Sequence, residues 1–343
     1  MPKNTKVYKF RDIKYIYNTE VTKQALLKAE KEGRIPESQR VQYGNSSIQQ
    51  RTWTIKDLPF IGEKYGFLNK PSKHATIAIY ASKGGVLKSS TTLNIARMYA
   101  LHNVKTCVID LDPQADSSRN LGFDIPEESV SKLSELDNYY EGIQSLSDLY
   151  NKKTELKDII QSTEIPTLDA VLATAELIPL MDKLNSELRR EYWLKDNVII
   201  PLQEMGYEMI IMDLAPSWSI YTTNAIVASD ILLSPLECRI AHYRNSKQFI
   251  GQIENFSKSM KLKSLRTAFI PTKVSHSRKI SMQIRQFYAS NITGCFLSAI
   301  RDSVIGEEAI AQRMSAIEYS NKSIAEDIRA FLIELDSLIQ EIQ

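Results

Sequence analysis

Short apolar runs rich in β-branched residues alternate with helical patterns from about residue 75 onward. Runs that stay apolar at every position indicate strands buried on both faces, as in a parallel sheet covered by helices. Six such strands are predicted, at residues 76–80, 106–110, 168–172, 209–213, 231–235 and 267–270. We therefore expect an α/β fold with a mostly parallel sheet and helices on both faces.

The two ends of the chain have helical patterns of their own. Residues 20–33 contain good helix formers and end at a glycine. A second helix is predicted to begin near Thr54, with Asp57 completing an approximate capping box. The tail, residues 323–343, repeats apolar residues at helical spacing, which indicates a helix packed on the core. We predict a small helical domain at residues 1–70 and a larger domain at residues 74–343.

Composition narrows the class of protein. The 343 residues are 43% hydrophobic and 24% charged, which is typical of a globular protein with one or two domains. The three cysteines are far apart, so a disulfide framework or zinc knuckle is not expected. No apolar run approaches the ~18 residues that span a bilayer, and the start lacks an apolar signal region. We expect a cytoplasmic protein with no membrane partner.

The charge is unevenly distributed, although the net charge is only +2. Residues 1–73 carry 15 Lys and Arg against 7 Asp and Glu, whereas the remaining residues carry 28 against 34. A basic segment on a mildly acidic body suggests that a polyanion binds near the N-terminus. The alternative is a solvated, lysine-rich surface without a ligand.

The segment after the first predicted strand, residues 81–92, reads A-S-K-G-G-V-L-K-S-S-T-T and leads into a helical pattern. A strand, a glycine turn and a helix N-terminus together form a cradle for phosphate. Lys88 would reach the β- and γ-phosphates of a nucleotide, and the Ser89 hydroxyl would hold Mg²⁺. The general pattern G-x-x-x-x-G-K-[ST] is only half met, because Ser82 and Leu87 stand where its glycines would be.

Two further runs place carboxylates at predicted strand ends. Asp110 and Asp112 lie two residues apart, just before a proline, and so point to the same side. Asp213 ends another apolar strand, which is the Walker B form in which a carboxylate holds magnesium directly or through water. The sequence therefore predicts ATP and Mg²⁺ as ligands at one edge of the sheet.

These segments resemble the ParA/MinD group of P-loop ATPases, whose deviant loop has the form K-G-G-x-x-K-S, from about residue 74 to the C-terminus. The resemblance implies that Lys83 crosses a homodimer interface to the partner's nucleotide, and that Asp112 polarises the attacking water. Asp110 would lie near the magnesium shell. The nucleotide-binding residues implied are Lys83, Gly84, Gly85, Val86, Leu87, Lys88, Ser89, Ser90, Pro271 and Thr272, the last two beside the adenine.

The N-terminal segment resembles, more loosely, the winged helix-turn-helix of the larger plasmid-type ParA proteins. DNA contacts would then come from Arg34, Arg40 and Arg51, and from Arg301, which lies where the core of ParA proteins carries a basic strand end. The alternative for this segment is a helical arm that only holds the dimer together.

The resemblance implies a partition ATPase that dimerises on ATP, binds DNA at the nucleoid, and hydrolyses ATP when a ParB-like centromere-binding protein stimulates it. It could also repress its own operon. The alternatives are a nucleotide-sensitive transcriptional repressor without a partition role, or a MinD-like positioning ATPase. The last needs a basic amphipathic C-terminal helix, whereas this tail is acidic.

Overall fold

The computed structural model describes residues 6–42, 49–124, 142–319 and 322–342. In chain order the strands are β1 (Val7–Lys9), β2 (Gln39–Gln42), β3 (Gln49–Thr54), β4 (Ala75–Ile79), β5 (Thr106–Leu111), β6 (Ile160–Ser162), β7 (Leu168–Val171), β8 (Met209–Leu214), β9 (Ile231–Glu237) and β10 (Arg266–Thr272). The helices are α1 (Phe10–Ile16), α2 (Lys23–Lys31), α3 (Leu58–Tyr65), α4 (Lys88–Leu101), α5 (Asp116–Asn120), α6 (Leu146–Tyr150), α7 (Leu156–Ile159), α8 (Leu177–Asn185), α9 (Ile200–Glu204), α10 (Ile220–Ala228), α11 (Ile240–Ser259), α12 (Lys279–Asn291), α13 (Val304–Ala311), α14 (Ala316–Tyr319) and α15 (Ser323–Glu341).

A seven-stranded sheet in the order β10-β9-β4-β8-β5-β7-β6 forms the centre of the molecule. All strand pairs in it are parallel except β6 with β7. The six predicted strands are present within two residues of their expected bounds, so the α/β fold is confirmed. The antiparallel edge strand β6 was not predicted, because Gln161 and Ser162 interrupt any apolar run there.

Helices cover both faces of this sheet and bury a separate hydrophobic cluster on each. The C-terminal helix α15 contributes its apolar stripe to one cluster: Ile324, Ile328, Phe331 and Leu335 are almost fully buried. The prediction that this helix packs on the core is therefore confirmed. Within the described residues, no helix combines the length and the apolar character needed to cross a membrane.

The N-terminal segment folds as β1-α1-α2-β2-β3-α3, with its strands in an antiparallel sheet of order β1-β3-β2. The predicted helix at residues 20–33 is α2. The second predicted helix begins later than expected, at Leu58, because Arg51 to Thr54 belong to β3. The Thr54 amide and hydroxyl both donate to the Asp57 carboxylate at 2.7 Å, and this pair forms the turn from strand to helix.

This segment packs directly on the larger part of the molecule. The Tyr17 hydroxyl donates to the carbonyl oxygens of Leu58 (2.6 Å) and Leu101 (3.1 Å). Helices α3 and α4 cross so closely that a Cβ on Gly62 would lie 1.9 Å from the Leu101 oxygen. Trp53, Tyr17 and Leu58 belong to the same hydrophobic cluster as the C-terminal helix. The division of the chain near residue 70 stays a prediction.

His102, at the end of α4, lies at the contact between these two parts. Its Nδ1 lies 2.6 Å from the Met98 carbonyl oxygen and so carries the proton, while Nε2 accepts from the Phe67 amide at 3.1 Å. The rings of Tyr17 and Phe67 pack edge-on against the imidazole. Burial therefore lowers the pKa of His102 to about 4.

We expect acid to destabilise the protein through His102. The unfolded state binds this proton near pH 6.5, whereas the folded state binds it only near pH 4. The free energy of unfolding therefore has its full value above pH 6.5 and decreases as the pH is lowered toward 4. Because of this residue, the free energy of unfolding should be about 2 kcal/mol lower at pH 5 than at pH 7. Urea unfolding at both pH values measures the loss, and His102→Gln should reduce it. An unchanged pH dependence in the variant would assign the effect to other groups.

Candidate nucleotide-binding site

The predicted strand and helix are β4 and α4, and the glycine loop connects them. The loop turns through two residues with positive φ, Gly85 (+70°) and Leu87 (+74°), and Lys88 then begins α4. Glycine adopts this conformation freely, whereas a residue with a Cβ pays about 1–2 kcal/mol. Leu87 stands at the second glycine of the general pattern and keeps the left-handed backbone conformation that glycine favours.

Asp110 and Asp213 lie side by side below this loop, because β5 and β8 pair in parallel with these residues opposite each other. Both carboxylates are buried, at 1% and 0% exposure. The Asp110 carboxylate accepts from the Ser118 amide (2.7 Å) and hydroxyl (2.8 Å), and Asp213 accepts from the Ser117 hydroxyl (2.6 Å). Burial, and then the charge of Asp213, raise the pKa of Asp110 to about 7.

The Asp213 carboxylate has features that fit a divalent cation. Its Oδ1 is buried without a hydrogen-bond partner, although such atoms are normally paired. Burial raises the pKa of Asp213, while hydrogen bonds from Ser117 and Ser89 and the charge of Lys88 act in the opposite direction. Two adjacent buried carboxylates with a nearby hydroxyl form the oxygen-rich donor set that Mg²⁺ prefers. Ser89, Asp110 and Asp213 thus lie close together, and their role as metal ligands stays a prediction.

Asp112 follows β5 at the same edge of the sheet and is 8% exposed. Its backbone amide donates to Asp110 Oδ1 at 3.2 Å, and its own Oδ1 accepts from the Gln114 amide at 3.0 Å. These bonds fix the carboxylate relative to Asp110. Lys88, also largely buried at 7% exposure, begins α4 at the same end of the sheet.

Lys83 differs from Lys88 because its side chain is half exposed, at 52%. Its Nζ lies 3.4 Å from the buried Glu237 carboxylate at the end of β9. Arg239 and His242 contact the same carboxylate at 3.2 and 3.4 Å. Lys83 is therefore at the surface beside the loop, with a partner in its own chain.

The end of β10 closes the other side of the loop. The Thr272 hydroxyl, fully buried, donates to the Val86 carbonyl oxygen at 3.2 Å. Pro271 precedes it in the strand. The placement of both residues beside the adenine stays a prediction. Glu237, Ser117 and Ser118 also belong to this site and were not predicted from the sequence. The sequence signal for Ser117 and Ser118 was their position as two adjacent serines shortly after the D-x-D-P run.

The arginines predicted to contact DNA have different environments. Arg51 donates to Glu30 at 2.6 Å, Arg34 pairs with Glu32, and Arg301 forms a bidentate pair with Asp327 at 2.7 and 2.8 Å. Arg40 is exposed on β2. These sites are scattered over the N-terminal segment and the opposite end of the chain, and their DNA contacts stay predictions.

A family model described as "AAA domain" matches residues 74–266, which is more than half of the chain. The chromosome partitioning protein ParA of Caulobacter vibrioides is 26% identical over 229 residues, covering 67% of this chain and 79% of the relative. Protein SopA of Escherichia coli K12 is 26% identical over 326 residues, covering 88% of this chain and 81% of the relative.

Solved structures share the fold. McdA of Cyanothece aligns with a TM-score of 0.62 at 18% identity, over 77% of this chain and 99% of that one. A putative plasmid partition protein of Borrelia burgdorferi bound to AMPPNP aligns equally well, at 0.62 and 18%, over 77% and 100%. The matched family model covers the phosphate loop and the Asp110, Asp112 and Asp213 motifs. The chain therefore belongs to the AAA-domain family, and within it to the ParA family of partition ATPases.

Proposed function

We propose that this protein is an ATP-driven DNA-partition switch: ATP closes a homodimer, the dimer binds DNA, and a centromere-binding partner stimulates hydrolysis to release it. The observation that carries the ATPase part is the buried Asp110–Asp213 pair, with its unpartnered Asp213 oxygen, next to the phosphate loop and Lys88. Two adjacent buried carboxylates are costly for a structural role alone and are explained by a cation bound with nucleotide.

The charge and position of each residue in the site indicate its proposed role. Backbone amides of the loop and the N-terminus of α4 attract the phosphates, and Lys88 neutralises the β- and γ-phosphate charge. A bound Mg²⁺ would supply positive charge that offsets the charge of the phosphates. Ser89 and Asp213 would hold it, with Asp110 behind them. Asp112, fixed by its bonds to Asp110 and Gln114, would orient the water for attack on the γ-phosphate.

The exposed position of Lys83 supports a shared dimer site. The Lys83 ammonium group is half exposed, and Arg239 contacts the same Glu237 carboxylate. Lys83 can therefore leave Glu237 and reach a nucleotide in a second subunit while that carboxylate keeps a cationic partner. Nucleotide that contacts both subunits stabilises the closed dimer over the open form. ATP would in this way shift the population between two states.

The proposals that the protein binds DNA and a partner protein rest on the charge distribution and on the relatives. The N-terminal segment is basic, and its α1, α2 and antiparallel strands could present a helix and a wing to DNA. Arg40 is exposed on β2, whereas Arg34, Arg51 and Arg301 are each paired with a carboxylate. The name of the Caulobacter relative, chromosome partitioning protein ParA, favours a ParB-like partner over an isolated ATPase.

A second candidate is a nucleotide-sensitive repressor that uses the same N-terminal segment, and the charge of residues 1–73 favours it equally. Positioning on a membrane, as in MinD-like proteins, has less support. The apolar residues of α15 that a membrane anchor would need are buried in the core, including Phe331 and Leu335 at 0% exposure.

The shared site is tested by mixing two inactive variants, Lys83→Ala and Asp112→Ala. If Lys83 acts on the partner's nucleotide, every mixed dimer keeps one intact site. Random mixing should then restore about one quarter of the wild-type phosphate release. Activity no greater than the sum of the separate variants would mean that Lys83 acts within its own subunit. Near-normal turnover of Lys83→Ala alone would make it a surface lysine.

A further inference from the structure

Leu87 is unusual among the residues of the phosphate loop. It stands at the glycine position of the general pattern and has φ +74° and ψ +28°, which is left-handed backbone. At Gly85, the other left-handed position, an added Cβ would meet nothing within 4 Å, so glycine is needed there only for its backbone. At residue 87 the chain keeps a branched side chain despite the same backbone demand.

The Leu87 side chain has a definite place in the fold. It is partly buried and packs against the hydrophobic cluster that contains the C-terminal helix. It also lines a small cavity of about 40 Å³, together with Ile300, Ile310 and Ile324 on one side and Thr91 on α4. Its carbonyl oxygen accepts from both the amide (2.9 Å) and the hydroxyl (2.7 Å) of Thr91.

The loop is consequently held from two directions. Thr272 at the end of β10 donates to the carbonyl of Val86, and Leu87 packs against the cluster that contains Ile300 and Ile324. A glycine at position 87 would keep the first contact and lose the second. The side chain of Leu87 therefore connects the phosphate loop to this cluster.

We infer that Leu87 is a positioning residue: its side chain packs the phosphate loop against Ile300, Ile310 and Ile324 and so sets nucleotide affinity. The inference rests on the proposed nucleotide site. Packing of Leu87 offsets its backbone strain and keeps the loop amides oriented before the phosphates arrive. Preorganisation of this kind increases affinity because less order is lost on binding. Restoring the glycine of the general pattern should accordingly weaken binding.

The test compares Leu87→Gly, Leu87→Ala and Leu87→Met in the full-length protein, by titration with ATP and by steady-state hydrolysis. Leu87→Gly should raise the Kd and KM for ATP about tenfold with little change in kcat, since loop order and not chemistry is lost. Leu87→Met should stay close to wild type. Leu87→Ala should melt below Leu87→Gly, because it keeps the strained backbone and loses the packing.

Two controls separate this role from general destabilisation. Leu335→Ala removes an equally apolar, fully buried side chain from the same cluster and should lower the melting temperature without raising the Kd. Combining Leu87→Gly with Ile310→Ala should add little to the Kd, because both remove the same contact. A Leu87→Gly protein that binds ATP as tightly as wild type, or no more weakly than Leu335→Ala, overturns the inference. Failure of the wild-type protein to bind ATP would instead contradict the proposed function.

Discussion

Lys88→Ala is expected to abolish ATP binding. The ammonium group begins α4, is 7% exposed, and is the cation whose charge acts on Asp213. Its removal takes away the lysine charge that offsets the two buried carboxylates and the incoming phosphates. We expect the Kd for ATP to rise by at least about 100-fold, as is common when a charge-assisted contact to phosphate is lost.

Titration of a fluorescent ATP analogue measures this effect. Lys105→Ala is the matched control, since it removes a lysine at the opposite end of the strands, where its Nζ donates to the Met205 carbonyl and lies 4.4 Å from the centre of the Tyr207 ring. That variant should bind ATP normally. Normal binding by Lys88→Ala would show that the phosphates lie elsewhere, and the proposed site would be wrong.

Asp112→Ala should leave ATP binding intact and stop hydrolysis. The carboxylate lies at the strand end beside Asp110 and makes no contact that holds the loop, so its loss affects the water and not the phosphates. We expect phosphate release to fall by about 100-fold or more, within the range for removal of a general base. Asp116→Ala, four residues further on and exposed, is the control and should hydrolyse ATP at the wild-type rate.

The parallel sheet was predictable because its strands are buried on both faces, so their apolar runs are unbroken. Strand β3 was not, since Thr54 and Asp57 had the pattern of a helix start and only tertiary packing buries Trp53 at 1% exposure. The short edge strand β6 has no apolar run and is defined by its pairing with β7. Local patterns therefore predicted the centre of the sheet and missed pieces that other parts of the chain stabilise.

The candidate site shows the same division. The phosphate loop and each aspartate motif were visible in short runs of sequence, but their relation was not. Asp110 and Asp213 are neighbours only because β5 and β8 pair. Lys83 follows β4 and contacts Glu237 at the end of the adjacent strand β9. Arg301 was predicted to contact DNA, yet its bidentate partner Asp327 comes from a helix 26 residues further along the chain. Contacts of this kind depend on topology, which short motifs do not contain.

The central claim is that ATP, and not ADP, closes a dimer that carries DNA. Asp112→Ala permits the most direct test, because it should hold ATP without consuming it. Sedimentation with a labelled DNA duplex, Mg²⁺ and either nucleotide reports mass and bound DNA in one sample. We predict a DNA-bound dimer with ATP, and with ADP a monomer that has released most of the DNA. Equal mass and equal DNA binding with both nucleotides would contradict the switch and leave a DNA-binding protein that nucleotide does not control.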